Sequence, residues 1–245
     1  MEYLPKGLYK MSDTLVSLRN IKKSYGRKIA LDDLSVDLFK GQIIGLFGPN
    51  GCGKTTLLKI MAGLIHDYNG SVLIDGSFPS PETKQIVAFL PDRIFLYDWM
   101  NAGQALSFFR DFYADFDYDK AKALLEKFSL SSKDKIKSMS KGMQEKLLLS
   151  LIMSRKAKLY LLDEPLAGVD PAAREAILDF ILQNHSKDSI ILMATHLIND
   201  LEQMFERVVF MGEGRVLVDD SVENIKSRGV SIEDAFKEVF RHDAW

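Results

Sequence analysis

The sequence predicts an α/β fold in which helices pack on a mostly parallel sheet. Short, continuously apolar segments recur, among them 42–47 and 159–162, and such runs are typical of strands that are buried on both faces. Segment 34–39 instead alternates apolar and polar residues, which indicates a half-buried antiparallel strand. We therefore expect buried parallel strands together with at least one half-buried antiparallel strand.

The elements follow one another in a regular order. The predicted strands are 14–21, 34–39, 42–47, 71–75, 86–90, 159–162, 190–194 and the hairpin pair 208–211 and 215–218. Helical patterns occupy 56–63, 143–154, 172–183 and the C-terminal segment SIEDAFKEVF. Between about 98 and 137 the pattern is only helical, with Ala102, Leu106, Phe109 and Tyr113 on one face. This stretch is predicted to be a helical insert.

Composition bounds the class of protein. The chain has 245 residues, of which 47% are apolar, enough for a sizeable core. A net charge of -2 gives no global reason to expect nucleic acid as a partner. Cys52 is the only cysteine, which fits a reducing compartment. The longest apolar run, 147–153, is far shorter than the roughly 20 residues that cross a bilayer, so we expect a soluble protein.

Segment 48–55, GPNGCGKT, fits the pattern G-x-x-x-x-G-K-[ST] between a predicted strand and a predicted helix. Backbone N–H groups of such a loop surround a phosphate, and the helix adds its positive end. The pattern predicts a phosphate-binding loop made of Gly48, Pro49, Asn50, Gly51, Cys52, Gly53, Lys54, Thr55 and Thr56. Lys54 would reach the β- and γ-phosphates, Thr55 would bind Mg²⁺ and Thr56 would donate to a nearer phosphate.

Cys52 lies in this loop just before the predicted helix. A thiol near a helix N-terminus can have a lowered pKa. We therefore expect moderate reactivity of Cys52 towards thiol reagents.

Segment 159–164, LYLLDE, ends a predicted buried strand with two acids. Taking carboxylates out of water is costly, so their position indicates a function rather than a structural need. Asp163 is expected to hold Mg²⁺, through a water molecule, and Glu164 to polarise the water that attacks the nucleotide. The alternative is a solvated strand end.

A phosphate-binding loop followed by a buried strand that ends in acids is typical of P-loop NTPases. Four further segments indicate one family among these enzymes. In order and spacing they resemble the motifs of ATP-binding cassette (ABC) ATPases, over about residues 14 to 240. In SMSKGMQEKLLLSLIM (138–153) the serine and the second glycine of the family signature are matched, and S-K-G-M resembles the variant of many exporter-type cassettes. The matching residues are Tyr25 in KKSYGRKIAL, Ser140 and Gly142 in the signature, Asp170 in AGVDP, and His196 in ATH.

The resemblance implies a P-loop NTPase (RecA-like) core with an antiparallel β subdomain and an inserted α-helical subdomain, and it implies ATP and Mg²⁺ as ligands. Tyr25 would stack on adenine, and His196 would contact the γ-phosphate. Ser140 and Gly142 would close on the ATP of a second cassette, and Asp170 would lie at the seam between the two. Ordinary helix caps, a strand-end aromatic residue and a structural histidine stay open as alternatives.

Asp92, in FLPDRIF, departs from the usual pattern. Most cassettes of the family have glutamine there, and an acid at this position resembles the ABC-2 type exporter cassettes. Asp92 is predicted to contribute to the metal site. The alternative is a plain loop aspartate.

The resemblance also implies the domain organisation. One ABC ATPase domain would cover 14–240, with the helical insert at about 93–140. Residues 1–13 would be a flexible lead, and 221–245 would form the C-terminal helical end of the same domain.

The expected function is that of the ATP-hydrolysing subunit of a membrane exporter, cytoplasmic and peripheral on the inner face of the membrane. Its partners would be a transmembrane permease and a second cassette, identical or related. A groove between insert and core would receive a helix of the permease, with apolar anchors at Phe95, Leu96, Tyr97 and Trp99. The alternative is a soluble ABC ATPase that acts in the assembly of a metal cluster or another complex; a small-molecule kinase would give no reason for the signature.

Overall fold

A computed structural model describes residues 13–241, apart from the side chains of 171–173. The strands are β1 (Thr14–Tyr25), β2 (Lys28–Phe39), β3 (Ile43–Phe47), β4 (Asn69–Ile74), β5 (Val87–Leu90), β6 (Leu159–Asp163), β7 (Ile190–Ala194), β8 (Arg207–Gly212) and β9 (Arg215–Ser221). The α-helices are α1 (Lys54–Met61), α2 (Thr83–Ile86), α3 (Ala102–Phe112), α4 (Tyr118–Lys127), α5 (Lys141–Met153), α6 (Pro171–Asn184), α7 (Ile198–Leu201), α8 (Val222–Ser227) and α9 (Ile232–Arg241). Residues 1–12 of the predicted lead, and 242–245, lie outside the described part.

The strands form two sheets. A six-stranded sheet has the order β5-β6-β7-β3-β8-β9, in which only the edge strand β9 pairs antiparallel to its neighbour. A three-stranded antiparallel sheet has the order β2-β1-β4. The predicted parallel core and antiparallel β subdomain are therefore both confirmed. Because parallel strands end at one edge, the loops after β3, β5, β6 and β7 converge there.

The six-stranded sheet separates two apolar cores. Along β6, Leu159 and Leu161 belong to the core that also contains α1 and the small sheet, whereas Tyr160 and Leu162 belong to the core that contains α3, α4 and α5. This alternation follows from the two-residue period of a strand. It holds the loop after β3 and the two acids at the end of β6, Asp163 and Glu164, on a layer that is packed on both faces.

The boundaries differ from the predicted ones in informative ways. Helix α1 begins at Lys54, two residues earlier than its apolar pattern, and β6 extends through Asp163. The helices α2, α7 and α8 were not predicted, because four to six residues are too few to display a helical period. Within residues 13–241 no helix has the length and apolarity that crossing a membrane would require.

The insert is confirmed as helical. Helix α3 begins at a reciprocal cap, in which Asn101 accepts from the N–H of Gln104 at 2.8 Å and Gln104 accepts from the N–H of Asn101 at 2.9 Å. Its apolar face, with Leu106 and Phe109 fully buried, packs into the core beside α5. The insert is thus attached to the main sheet through α5.

Candidate functional site

The loop between β3 and α1 is closely packed against the small sheet. Gly53 has φ of +109°, and a Cβ at this position would lie 2.3 Å from the carbonyl oxygen of Ala30. Only glycine has both the backbone freedom and the small size that this position requires. The loop is therefore held with its N–H groups at the N-terminal end of α1, where a helix attracts anions.

Lys54 turns its ammonium group back over this loop. Its Nζ donates to the carbonyl oxygens of Gly48, at 2.6 Å, and of Pro49, at 3.2 Å. Its third contact is the long one to Sγ of Cys52, at 4.0 Å, which a phosphate oxygen can replace. The position of Lys54 is compatible with the predicted contact.

A cavity of about 330 Å³ lies above the loop. Of the predicted phosphate-binding residues, Asn50, Gly51, Gly53, Lys54, Thr55 and Thr56 line it, together with Tyr25, Asp92, Asp163 and Glu164. Gly48, Pro49 and Cys52 do not line it. The structure therefore brings most of the predicted nucleotide and metal residues to one place.

Asp163 is the most buried acid of the cavity, with only 2% of its surface exposed. Burial raises the pKa of its carboxyl group, the hydroxyl of Thr55 opposes that rise by donating to it, and the charges of Asp92 and Glu164 add to it. Its Oδ2 is buried and has no hydrogen-bond partner. A buried carboxylate oxygen without a partner, beside a hydroxyl group, suits a hard divalent cation.

These residues fit a Mg²⁺ site in which the protein supplies only some of the ligands and the nucleotide and water supply the others. Within the described residues, no three His, Cys, Asp or Glu side chains converge to hold a metal by themselves. Mg²⁺ commonly binds through one or two carboxylates and keeps water and phosphate oxygens as its other ligands. Asp163 and Thr55 could supply the protein part of such a site.

Glu164 leaves the strand through an unusual backbone conformation. Its φ is +50°, a left-handed value that costs a residue with a side chain of the order of 1 kcal/mol. Its N–H donates to the carbonyl oxygen of Ala194, and its Oε2 lies 2.9 Å from Nδ1 of His196. Since His196 follows β7, the two side chains meet across neighbouring strand ends. The sequence contained no signal for either the strain or this contact.

Tyr25 and Lys28 form the outer wall of the cavity. The ring of Tyr25 is half exposed, and Nζ of Lys23 lies 4.7 Å from its centroid. Lys28 was not predicted as a site residue; its Nζ lies 3.5 Å from where a Cβ on Gly51 would be. The sequence feature that could have indicated Lys28 is its position as a basic residue three positions after Tyr25.

Cys52 does not fit the expectation of a reactive thiol. Its side chain lies under the loop, is 5% exposed, and has a pKa that burial raises although the charge of Lys54 opposes the rise. The expectation was wrong because the loop turns this side chain into the apolar core. Burial there raises the pKa of the thiol by more than the helix N-terminus and Lys54 lower it. Any phosphate contact of Cys52 must come from its backbone.

The signature residues form a second group that does not line this cavity. Ser140 is exposed and caps α5, accepting from the N–H of Met143 at 3.3 Å. A Cβ on Gly142 would lie 3.0 Å from the carbonyl oxygen of Gly168, and Glu145 of α5 accepts from the N–H of Gly168 at 2.8 Å. The signature and the Asp170 loop are thus joined to each other. None of Ser140, Gly142 and Asp170 lines the phosphate cavity.

A larger groove of about 780 Å³ lies between the insert and the core, and its walls are mostly apolar. Phe95 lines it, together with Phe109, Phe112 and Tyr113. Of the other predicted anchors, Leu96 is buried, and Tyr97 and Trp99 are exposed and stacked at 5.8 Å but do not line the groove. The expectation for Leu96 was wrong, because the segment turns this side chain into the apolar core.

Arg155 forms the floor of the groove. Its guanidinium pairs with Asp115 at 3.0 Å, donates to the carbonyl oxygens of Val87 and Gln85, and lies 4.0 Å from the ring centroid of Tyr113. Only 3% of Arg155 is exposed. One side chain therefore joins the end of α5, the insert and strand β5.

Comparison with known proteins identifies the family. The family model described as ABC transporter matches residues 31–167. The linearmycin resistance ATP-binding protein LnrL of Bacillus subtilis is 30% identical over 223 residues, which cover 87% of this chain and 71% of LnrL.

Two solved structures have a similar fold. A structure of the ATP-binding subunit of an ABC transporter is 26% identical, with a TM-score of 0.84, and the match covers 92% of this chain and 99% of the other. The dimeric cassette MJ0796, in a post-hydrolysis state with ADP and Pi, has a TM-score of 0.76 at 21% identity, covering 84% and 98%. With the family match and the shared fold, the chain belongs to the ABC transporter family, as one of its ATP-binding subunits, and is an ATPase.

Proposed function

We propose that the chain drives a membrane exporter, working as a pair of cassettes that ATP holds closed. The main observation for a pair of cassettes is that one chain has two places that could bind phosphate, and that they do not line the same cavity. The phosphate loop lines its cavity, whereas the exposed Ser140 presents the N-terminal end of α5 outside that cavity. In a head-to-tail pair, Ser140 and Gly142 of each cassette would close on the nucleotide of the other, with Asp170 at the seam. The dimeric arrangement of MJ0796, which shares this fold, supports the proposal.

In this proposal, ATP stabilises the closed pair of cassettes. A ligand that binds only the closed dimer stabilises it by mass action. Tyr25 would hold the adenine ring by stacking on the face that Lys23 leaves open. Whether the pair consists of two identical chains or of two related ones follows from the partner that co-purifies.

Hydrolysis would follow from the residues around Asp163. Glu164 would accept a proton from the attacking water, whose oxygen bonds to the γ-phosphorus as the bond to the β–γ bridging oxygen breaks, releasing ADP and phosphate. Lys54 and the loop N–H groups would stabilise the charge on the phosphates, and His196 would hold Glu164 or, after rotation, the γ-phosphate. Mg²⁺, held by Asp163 and Thr55, would supply charge neutralisation on the β- and γ-phosphates.

Asp92 would add a second carboxylate near the metal. Its charge contributes to the raised pKa of Asp163, which supports the proximity of the two groups. An acid in place of an amide attracts a cation more strongly. We therefore assign Asp92 to the metal environment.

The groove between the insert and the core would receive the permease. Its walls are mostly apolar and include the exposed rings of Phe95 and Phe112. Arg155 connects it to the end of α5, the helix that Ser140 caps. Closure of the signature on ATP would thereby move the groove walls. The permease would hold this chain at the inner face of the membrane.

Export is the direction that the similarities favour. LnrL is named for resistance to linearmycin, and the S-K-G-M signature and Asp92 resemble those of exporter-type cassettes. The cargo pathway would lie in the permease.

The test is a co-purification of the tagged Glu164→Gln chain from its native host, trapped with ATP and Mg²⁺ in mild detergent. We expect a multi-span membrane protein in stoichiometric amount, identified by mass spectrometry. A soluble assembly factor with no membrane protein would overturn the transporter proposal and favour the assembly ATPase.

A further inference from the structure

The groove is positively charged in a chain whose net charge is negative. Its lining contains Lys59, Lys84 and Arg155 but a single acid, Asp115. Asp115 is already paired with Arg155. The chain as a whole has a formal charge of -2, so this concentration of positive charge is local.

Among the described residues, the ammonium groups of Lys59 and Lys84 form no ion pair and no side-chain hydrogen bond. Lys59 is only partly exposed, so its charge is placed where solvent screens it less than at an open surface. Lys84 packs near the end of the same helix, with its Cε 3.1 Å from where a Cβ on Gly63 would be. Both cations therefore lie at the C-terminal end of α1.

The opposite wall of the groove is aromatic. Phe95, Phe109, Phe112 and Tyr113 line it, and Phe112 is 71% exposed. A surface with two unpaired cations on one side and aromatic rings on the other is complementary to an amphipathic segment with an acid on one side and apolar residues on the other.

We propose that the segment of the permease that fills this groove carries a carboxylate that pairs with Lys59 and Lys84, while its apolar residues pack on Phe95 and Phe112. The inference rests on the proposed transporter function and specifies the chemistry of the partner. Because Lys59 lies on the helix that begins at Lys54, the pair would connect the permease directly to the helix behind the phosphate loop.

A structural role for the two lysines makes a different prediction. Lys59 and Lys84 stand in the last turns of α1 and α2, where a cation favours the helix dipole. In that role their replacement would lower the melting temperature of the isolated chain. That role alone predicts a lower melting temperature with the complex retained, whereas the docking role predicts in addition that the folded variant loses the permease.

The experiment is the co-purification from the native host with the double variant Lys59→Glu and Lys84→Glu. The control is Lys122→Glu with Lys187→Glu, which changes the net charge equally at exposed sites outside the groove. We expect the ratio of permease to chain to fall about tenfold in the groove variant and to stay at the wild-type value in the control. The isolated groove variant should bind ATP as the wild type does and unfold cooperatively; because reversed charges at two helix ends lower its melting temperature, the neutral pair Lys59→Gln with Lys84→Gln serves as the stability reference.

Rescue then identifies the carboxylate. An exchange of one acidic residue for lysine, in a segment of the permease outside the membrane, should restore the complex with the groove variant. The inference is overturned if the groove variant retains the permease, or if no such exchange restores binding. If the wild-type chain brings down no permease at all, the proposed function fails instead, so the two failures are distinguishable.

Discussion

The carboxylate of Glu164 lies 2.9 Å from Nδ1 of His196, across the ends of the neighbouring strands β6 and β7. Glu164 reaches this position through a left-handed backbone conformation, and its N–H is anchored on Ala194. Strained residues of this kind persist where the surrounding structure holds them, often at sites of chemistry. The pair thus holds a carboxylate at the mouth of the phosphate cavity.

Glu164→Gln is expected to lower the rate of ATP hydrolysis by about a hundredfold or more, because the amide cannot accept the proton of the attacking water. ATP binding should persist, and the dimer should accumulate with ATP and Mg²⁺. Phosphate release and size-exclusion chromatography measure the two effects. Wild-type turnover in this variant would show that Glu164 is not the base.

Lys54→Ala is expected to weaken ATP binding by about ten- to a hundredfold, because a charge-assisted hydrogen bond to the phosphates is lost. Titration calorimetry measures the affinity. Lys122→Ala, at an exposed position of α4, is the matched control and should bind ATP as the wild type does. Unchanged affinity in the Lys54 variant would argue against this loop as the phosphate site.

Asp92→Asn is expected to raise the Mg²⁺ concentration needed for half-maximal ATPase activity by about tenfold, because it removes a negative charge close to Asp163. The control is Asp98→Asn, an exposed aspartate of the same segment that does not line the cavity. If both variants require the same Mg²⁺ as the wild type, Asp92 is a plain loop residue.

Cys52 is expected to react with iodoacetamide about a hundredfold more slowly in the native chain than in concentrated guanidinium chloride. Burial both shields the thiol and raises its pKa, so that less thiolate is present at neutral pH, and the native rate should rise as the pH increases. Mass spectrometry of the alkylated chain follows the reaction. Rapid, stoichiometric alkylation of the native chain would contradict the buried position.

Arg155→Met is expected to lower the free energy of unfolding by about 3 kcal/mol, because it leaves Asp115 without its partner and removes the donor to the carbonyl groups of Val87 and Gln85. Urea denaturation measures it. Arg93→Met, at a residue with 90% of its side chain exposed, is the control and should change it by less than about 0.5 kcal/mol. Equal midpoints for the two variants would exclude the structural role of Arg155.

Much of the fold could be predicted from local patterns. The strands and long helices depend on apolar periodicity within a few residues, and the phosphate loop depends on glycines whose backbone requirement is local. For the same reason the loop, the acids at 163–164 and their order along the chain were visible without any coordinates. Short helices such as α2 and α7 escaped because they have too few residues to show a period.

The amino-acid sequence therefore specified the family, the parallel core and the residues of the phosphate loop, since each of these is encoded in adjacent residues. Tertiary packing determined that Cys52 is buried, that Glu164 meets His196 and that Ser140 does not line the phosphate cavity. It also determined that the one acid of the groove, Asp115, pairs with Arg155 and not with Lys59 or Lys84. Burial, pairing and exposure depend on contacts between segments far apart along the chain. No local pattern records those contacts.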